Sequence, residues 1–364
     1  MKSIRSTLNL RAGSLAICLT SLCLMTAAPK VHAQGTLTPT AGPSPSFKTL
    51  QQIEPRTDVM RLPGDPTASR IISQPGSYYL TTNLVGMPML NGISIRANNV
   101  TLDLNGFALI GVPGSLDGIN ATMPWHDLEI RTGNIEGWGG DGVDTASPVS
   151  EGRYFNVRSF RNGGNGFNLG TRSVVTECQA ASNTLNGIQV ASGILKNCTV
   201  VGNGYDTNGF PLGFHGIFVV GGAGSDVVQD CVADFNSADG YNIGMAFPGR
   251  GSIISGCTAK ANLDDGIQVS SHCVVRGNNC LTNGVNGIHV DFFGTGNRIE
   301  DNHVSLHPTG YLCDFGSFAN ILLKNTSQGN GAAFIVPPGN HQAAIVFFPG
   351  VGFVGAGPWD NFVY

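Results

Sequence analysis

Short runs of alternating apolar and polar residues recur along this chain, with no helical spacing between them. In Asn186-Gly187-Ile188-Gln189-Val190, Ile188 and Val190 lie two apart and share one face of a strand, while Gln189 points the other way. The frame returns at Asn91-Gly92-Ile93-Ser94-Ile95, Asn165-Gly166-Phe167-Asn168-Leu169, Asp239-Gly240-Tyr241-Asn242-Ile243, Asp265-Gly266-Ile267-Gln268-Val269 and Asn286-Gly287-Ile288-His289-Val290. Gly118, Gly142, Gly216 and Gly310 complete a series of ten glycines that precede a large apolar residue, at intervals of 21 to 29 residues. Each repeat also carries a second short strand that ends in a small residue, as in Val175 to Cys178, Leu195 to Cys198, Val228 to Cys231 and Ile254 to Cys257. Five residues after those cysteines stand Asn183, Asn203, Asn236 and Asn262, and Asn162 fits the same slot.

Two or three short strands in about 24 residues cannot pair with one another as a meander. Each must pair with its copy in the next coil, about 4.8 Å along an axis. The pattern therefore predicts an all-β fold, a single-stranded parallel β-helix of about ten coils and about 50 Å in length. A β-propeller is excluded by the period, which is too short for a four-stranded blade. In-register stacking puts like on like, so the asparagines should form an interior ladder of amide hydrogen bonds. Both open ends need covers. Residues 46–70 are read as an N-terminal cap, with a short helix at Ser46–Ile53, residues 71–331 as the coils, and the apolar, aromatic 332–364 as a C-terminal cap.

The first 33 residues have the form of a signal peptide: Lys2, Arg5 and Arg11, an apolar stretch from Leu15 to Ala28, then Val31-His32-Ala33. Residues 34–45 read as a flexible linker, and no later stretch is long and apolar enough to span a membrane. The chain is expected to be exported and to act as a monomer. Removing Lys2, Arg5, Arg11 and Lys30 from the 20 basic residues leaves 16 against 24 acidic ones, a net charge of −8. That balance argues against a nucleic-acid partner and against simple capture of a polyanion. Only 12% of residues are charged and 51 of 364 are glycine, which suits stacked strands and tight turns. Seven cysteines remain after cleavage. Cys178, Cys198, Cys231, Cys257 and Cys280 are read as one column of stacked small side chains, whose parallel direction suits free thiols better than disulfides.

Taken with the runs Ile72-Ser-Gln-Pro-Gly-Ser-Tyr-Tyr-Leu80, Asn99-Val-Thr-Leu-Asp-Leu-Asn-Gly106 and Gly296-Asn-Arg-Ile-Glu-Asp-Asn-His303, the coil pattern resembles exported bacterial right-handed parallel β-helix proteins of the pectate-lyase-like superfamily. The resemblance covers about residues 47 to 364. It implies the fold and its handedness and brings no catalytic residues.

Candidate chemistry gathers in the coils between residues 200 and 295. The residues before the repeat glycines include His215, Asp239 and Asp265 in successive coils. With Asp264, the two aspartates are candidates for paired carboxylates of a glycoside hydrolase or for a calcium site. The competing structural reading is that Asn, Asp and His precede glycine because they tolerate left-handed backbone angles at a turn. Polygalacturonases offer a partial parallel, since Asn236-Ser-Ala-Asp239 and Asp264-Asp265 are similar to their Asn-Thr-Asp and Asp-Asp elements. Gly287-Ile-His289 and Arg298-Ile-Glu300 depart from their Gly-His-Gly and Arg-Ile-Lys. For a lyase, Arg250 and Arg276 are the available arginine bases. The longer intervals here come from inserted loops at 204–213 and 245–251, which carry Tyr205, Phe210, Phe247 and Arg250. Together with Phe218, His289 and Asp291 these are the candidate substrate-binding residues, aromatics that stack on sugar rings beside polar groups. The expected function is carbohydrate binding on this outer face. Polysaccharide cleavage through Asp239, Asp264 and Asp265, with or without calcium, stands as one alternative, and a structural surface or adhesion role as another.

Overall fold

A computed structural model of the protein describes residues 55–121, 123–221, 226–243, 251–347 and 357–364, and only the backbone of 147–149. The leader, the linker, the helix expected at Ser46–Ile53, and Phe247 and Arg250 lie outside the described residues. The described chain is a right-handed parallel β-solenoid, with one 3-10 turn at Val59–Arg61. Among the described residues, twelve strands, from Ala68–Ile72 to Ala332–Ile335, stack in parallel into one sheet, and the other 24 form a second sheet to which many coils give two strands, each paired with its copy in the next coil.

Register follows the apolar alternation. Ile188 pairs with Ile217, Gln189 with Phe218 and Val190 with Val219, and the next coils add Tyr241, Asn242 and Ile243, then Ile267, Gln268 and Val269. Ile188, Ile217, Tyr241, Ile267, Ile288 and Tyr311 form one fully buried stack. Burying such a column is the main source of stability, roughly 1.5–3 kcal/mol per large side chain. The intervening residues make a file on the outer face of the twelve-strand sheet, polar at Gln189, Asn242, Gln268 and His289 and apolar at Phe218 and Leu312.

The repeat glycines have a reason other than turn geometry. None of the ten has a positive φ. A Cβ on Gly166 would lie 2.6 Å from the Gly187 carbonyl oxygen, and one on Gly240 would lie 2.8 Å from that of Gly266. Each glycine thus lets the next coil's backbone pass close by. The last, Gly310, faces the carbonyl of Ala333, and alanine is accepted there, in the final strand of the stack.

The residues before those glycines also lack positive φ, which corrects the left-handed-turn reading. They form a ladder of acceptors. The N–H of Asp117 donates to Asn91 Oδ1, that of Asp141 to Asp117 Oδ1, that of Asn165 to Asp141 Oδ1 and that of Asn186 to Asn165 Oδ1, at 2.9, 2.9, 2.5 and 3.0 Å. Asn and Asp recur because each supplies a side-chain oxygen to the next coil. Left-handed residues occupy other corners, such as Glu177, Asn197 and Asp230 before the cysteines and Ser182, Phe235 and Ala261 before the interior asparagines.

That interior ladder forms as expected. Amide donations run from Asn162 through Asn183, Asn203, Asn236 and Asn262 to Asn283, each 2.9 or 3.0 Å long, and every member is buried. At its end Asn283 Nδ2 lies 2.9 Å from His307 Nε2, and burial lowers the His307 pKa to about 4, keeping that nitrogen an acceptor. Cys178, Cys198, Cys231 and Cys257 are buried and free. Cys280 is not in their column: Asn278 takes the next rung, accepting the Cys257 N–H at 2.9 Å, while Cys280 pairs with Ala259.

Candidate functional site

The acceptor ladder breaks once in the middle of the sheet. His215 takes a rung as donor, its N–H giving to Asn186 Oδ1 at 2.8 Å, but it has no side-chain oxygen to offer Asp239. Its Nδ1 instead lies 3.2 Å from Asp239 Oδ2, off the line of a good hydrogen bond. Beyond the break the ladder resumes: Asp265 N–H donates to Asp239 Oδ1 at 3.0 Å, and Asn286 N–H to Asp265 Oδ1 at 2.9 Å.

Here the ladder carboxylates meet the outward file. Asn242 Nδ2 donates to Asp239 Oδ2 at 2.8 Å. Asn286 Nδ2 donates to Asp265 Oδ1 at 2.7 Å. His289 Nδ1 lies 2.5 Å from Asp265 Oδ2, and its Nε2 is 3.1 Å from Asp314 Oδ2, an ion-pair distance without hydrogen-bond alignment. Burial alone would lower the His289 pKa, but the Asp265 hydrogen bond and charge, then the Asp314 charge, outweigh it and raise it to about 9. His289 is therefore a cation at neutral pH, held between two carboxylates.

Asp239 and Asp265 are 2% and 3% exposed, whereas Asp264 is open to solvent. One carboxylate oxygen from each of the three lies within 4.8 Å of the others. The Asp264 carboxyl is held above its ordinary value, first by partial burial and then by the charges of Asp265 and Asp239. A proton is thus easier to keep on Asp264 than on a free carboxylate. A calcium ion wants six to eight oxygen ligands. Both oxygens of Asp239 and of Asp265 already face N–H donors or a histidine, so the trio fits that ion poorly.

Asp291, His289 and Asp314 converge into a second group with the same 4.8 Å limit. Asp314 was not legible as a site residue, although it stands four after Gly310 as Asp291 stands four after Gly287. Asn242, Asn286 and Gln268 also belong to the site as partners of its acids and of each other. Phe218 sits beside the break, its ring 5.2 Å from that of His215. The 204–213 loop is tied to the acid coil, because Gly213 and Phe214 N–H both donate to Ser237 Oγ at 3.1 Å. Asp206 closes the loop by accepting from Phe210 N–H at 2.8 Å. Phe210 is 65% exposed at its tip, and among the described residues no hydrogen bond or ring contact joins Tyr205 or Phe210 to the acids. Phe292 and Phe293 are exposed and packed edge to face, 4.1 Å apart. Arg276 lies on the other sheet, between Ser255 and Glu300, and so is not a base for these acids.

Residues 213–327 match a family model described as the right handed beta helix region. No curated protein matches the sequence. Among solved structures, the catalytic domain of a GH87 α-1,3-glucanase in complex with tetrasaccharides is similar, with 12% identity, a TM-score of 0.57, and cover of 76% of this chain and 61% of the other. The chain thus spans less than two thirds of that domain. The A-module of a mannuronan C-5 epimerase from Azotobacter vinelandii gives 13% identity and a TM-score of 0.51, covering 79% and 87%. The Dettilon tailspike protein gives 16% and 0.52, covering 82% and 60%. At such identities the likeness is one of fold. With the coil register and the family match, it establishes the chain as a right-handed parallel β-helix protein.

Proposed function

We propose that the protein is exported and binds a carbohydrate chain along the outer face of the twelve-strand sheet, centred on Asp239, Asp264, Asp265 and His289. The observation that carries this reading is that two ladder carboxylates meet histidines on this face, Asp239 with His215 and Asp265 with His289, with Phe292 and Phe293 exposed just after Asp291. Buried carboxylates and amides fix the orientation of hydroxyl groups, and open aromatics supply apolar contact. The three solved neighbours include a glucanase with bound tetrasaccharides and a mannuronan epimerase, which supports a sugar ligand.

A second reading, hydrolysis of that chain, rests on a specific correspondence. Three of the α-1,3-glucanase structures carry alanine for single aspartates, two of them adjacent and one roughly a coil length earlier. Asp264–Asp265 and Asp239 have that order. In this mechanism Asp264, with its raised pKa, protonates the leaving oxygen, and the buried carboxylates Asp239 and Asp265 act on water or on the sugar carbon.

Calorimetry and reducing-end release on a panel of neutral and uronic polysaccharides test both. Binding is expected, weakened in Phe292→Ala with Phe293→Ala. Cleavage lost in Asp264→Asn with binding kept would support hydrolysis. Binding without cleavage removes the enzyme reading, and neither binding nor cleavage leaves the structural or adhesion role. The mass of the mature N-terminus after secretion checks the cut after Ala33.

A further inference from the structure

A cleft of about 710 Å³ opens near the other end of the same sheet face, a size typical of a small-molecule site. It lies about five coil steps from the acid cluster, since the strand Ile119–Asn120 is separated from Tyr241–Ile243 by four others, and that is about 24 Å. None of its lining residues belongs to the site described above.

The polar wall is held in place before any ligand arrives. Arg96 donates from Nε to Ser94 Oγ at 3.1 Å, from Nη1 to Asp65 Oδ2 at 2.9 Å and from Nη2 to Thr67 Oγ1 at 2.7 Å. Guanidinium has five N–H donors, so two remain on a plane that is already fixed. Asp117 accepts one bond on each oxygen, from Asp141 N–H and from Asn120 Nδ2, both at 2.9 Å. Each oxygen keeps a second lone pair for a hydroxyl donor. Asn91 spends its Oδ1 on the Asp117 N–H and has its amide N–H groups left over.

The other wall is apolar. Trp125 is partly buried against the core and lines the cleft, with Leu116 and Met123 exposed beside it. The indole N–H of Trp125 is shut off from solvent and has no acceptor among the described residues. A buried indole donor normally finds a partner.

Fixed acceptors and donors on one side and an indole on the other suit a ring that is apolar on its face and hydroxylated at its rim. The local charge excludes an acidic sugar. Asp65 and Asp117 line the cleft, Asp141 and Asp144 follow in the next coil, and the one arginine is already ion-paired with Asp65. A carboxylate placed here meets uncompensated negative charge. We infer that this cleft is a second saccharide-binding site, selective for neutral sugar units, which anchors a long chain whose other end reaches the acid cluster. The inference rests on the carbohydrate reading above and adds to it a separate site and a neutral substrate class. A chain spanning both sites gains affinity through effective concentration without new contacts.

The chain has three tryptophans, of which Trp138 is buried in the core and Trp359 lies near the C-terminus. The test titrates the full-length protein with malto-, laminari-, cello-, manno- and xylo-oligosaccharides, and with oligogalacturonate free of divalent cations. Tryptophan emission and calorimetry are followed together. One neutral series is expected to give a saturable emission change that vanishes in Trp125→Phe, weakens about tenfold in Arg96→Ala and is unaltered in Arg276→Ala on the other sheet. The matching polymer is expected to bind more tightly than its short oligomers, and to lose that advantage in Arg96→Ala. Saccharide binding by calorimetry that is indifferent to Trp125→Phe and Arg96→Ala overturns the second site and leaves the acid-cluster reading standing. Preference for oligogalacturonate overturns the neutral assignment. An absence of heat and of emission change with every saccharide overturns both readings.

Discussion

Replacing Asn236 by alanine tests the interior ladder at its middle. Asn236 is fully buried, and its Oδ1 accepts both the backbone N–H of Asn203 at 3.1 Å and the Asn203 amide at 3.0 Å. Its own amide donates to Asn262 Oδ1 at 2.9 Å and to the Val200 carbonyl at 3.4 Å. Alanine strands two buried donors on Asn203. Asn262 Oδ1 keeps an acceptor role only toward the residue 236 N–H, at 2.9 Å. An orphaned buried group costs about 1–3 kcal/mol, so two give about 2–6 kcal/mol, and the void left by the amide adds to this. The expected loss is about 4 kcal/mol, a large share of a typical domain stability of about 5–15 kcal/mol. Guanidinium unfolding should be followed by far-ultraviolet circular dichroism and by tryptophan emission together, because a solenoid can melt coil by coil. The control is Asn208→Ala in the exposed 204–213 loop, where the side chain makes only a 3.4 Å contact with Asp206. If Asn236→Ala unfolds within 1 kcal/mol of that control at equal denaturant slope, the ladder is not a major source of stability and the reasoning fails.

Three further outcomes follow from the same geometry. The His289 pKa stands at about 9 against its ordinary 6.5, so its stabilising contribution is complete below pH 6.5 and is lost as pH rises through 9. The unfolding midpoint should fall over that window, and His289→Gln should flatten the decline; an unchanged slope would sink the assignment. Asp141 runs the other way for an acid, since burial and then the Asp144 and Asp117 charges raise its pKa to about 6, so its ionisation opposes folding above that pH. Asp141→Asn keeps the rung oxygen, as at Asn165, and should raise the melting temperature at pH 7 with little effect at pH 4; equal melting at both pH values would count against it. Gly266→Ala puts a methyl 2.5 Å from the Gly287 carbonyl oxygen and should destabilise by about 1–3 kcal/mol, read by the same denaturant titration against the wild type.

Much of the coil was legible because in-register stacking writes each position many times over. Ile188, Ile217, Ile267 and Ile288 repeat one interior environment, and Asn183, Asn203, Asn236 and Asn262 repeat another. The physical cause behind a column was less legible. Backbone conformation does not explain Asn165 and Asp239, because their side-chain oxygens serve the next coil's N–H. Residue type alone puts Cys280 in the cysteine column, and a shift of two residues moves it from the corner to the strand.

The solenoid, its core stack and its amide ladder are written in the order of residues, since these depend on a period and on residues that recur at it. Which acids meet is set by the folded coil. His289 reaches back one coil to Asp265 and on to Asp314 in the next, and Asp65 closes on Arg96 across 31 residues. Such contacts join positions of different offset in different coils, so no repeat records them. They follow from the lateral placement of neighbouring columns on one sheet face, which is set by the coil's cross-section and not by its period.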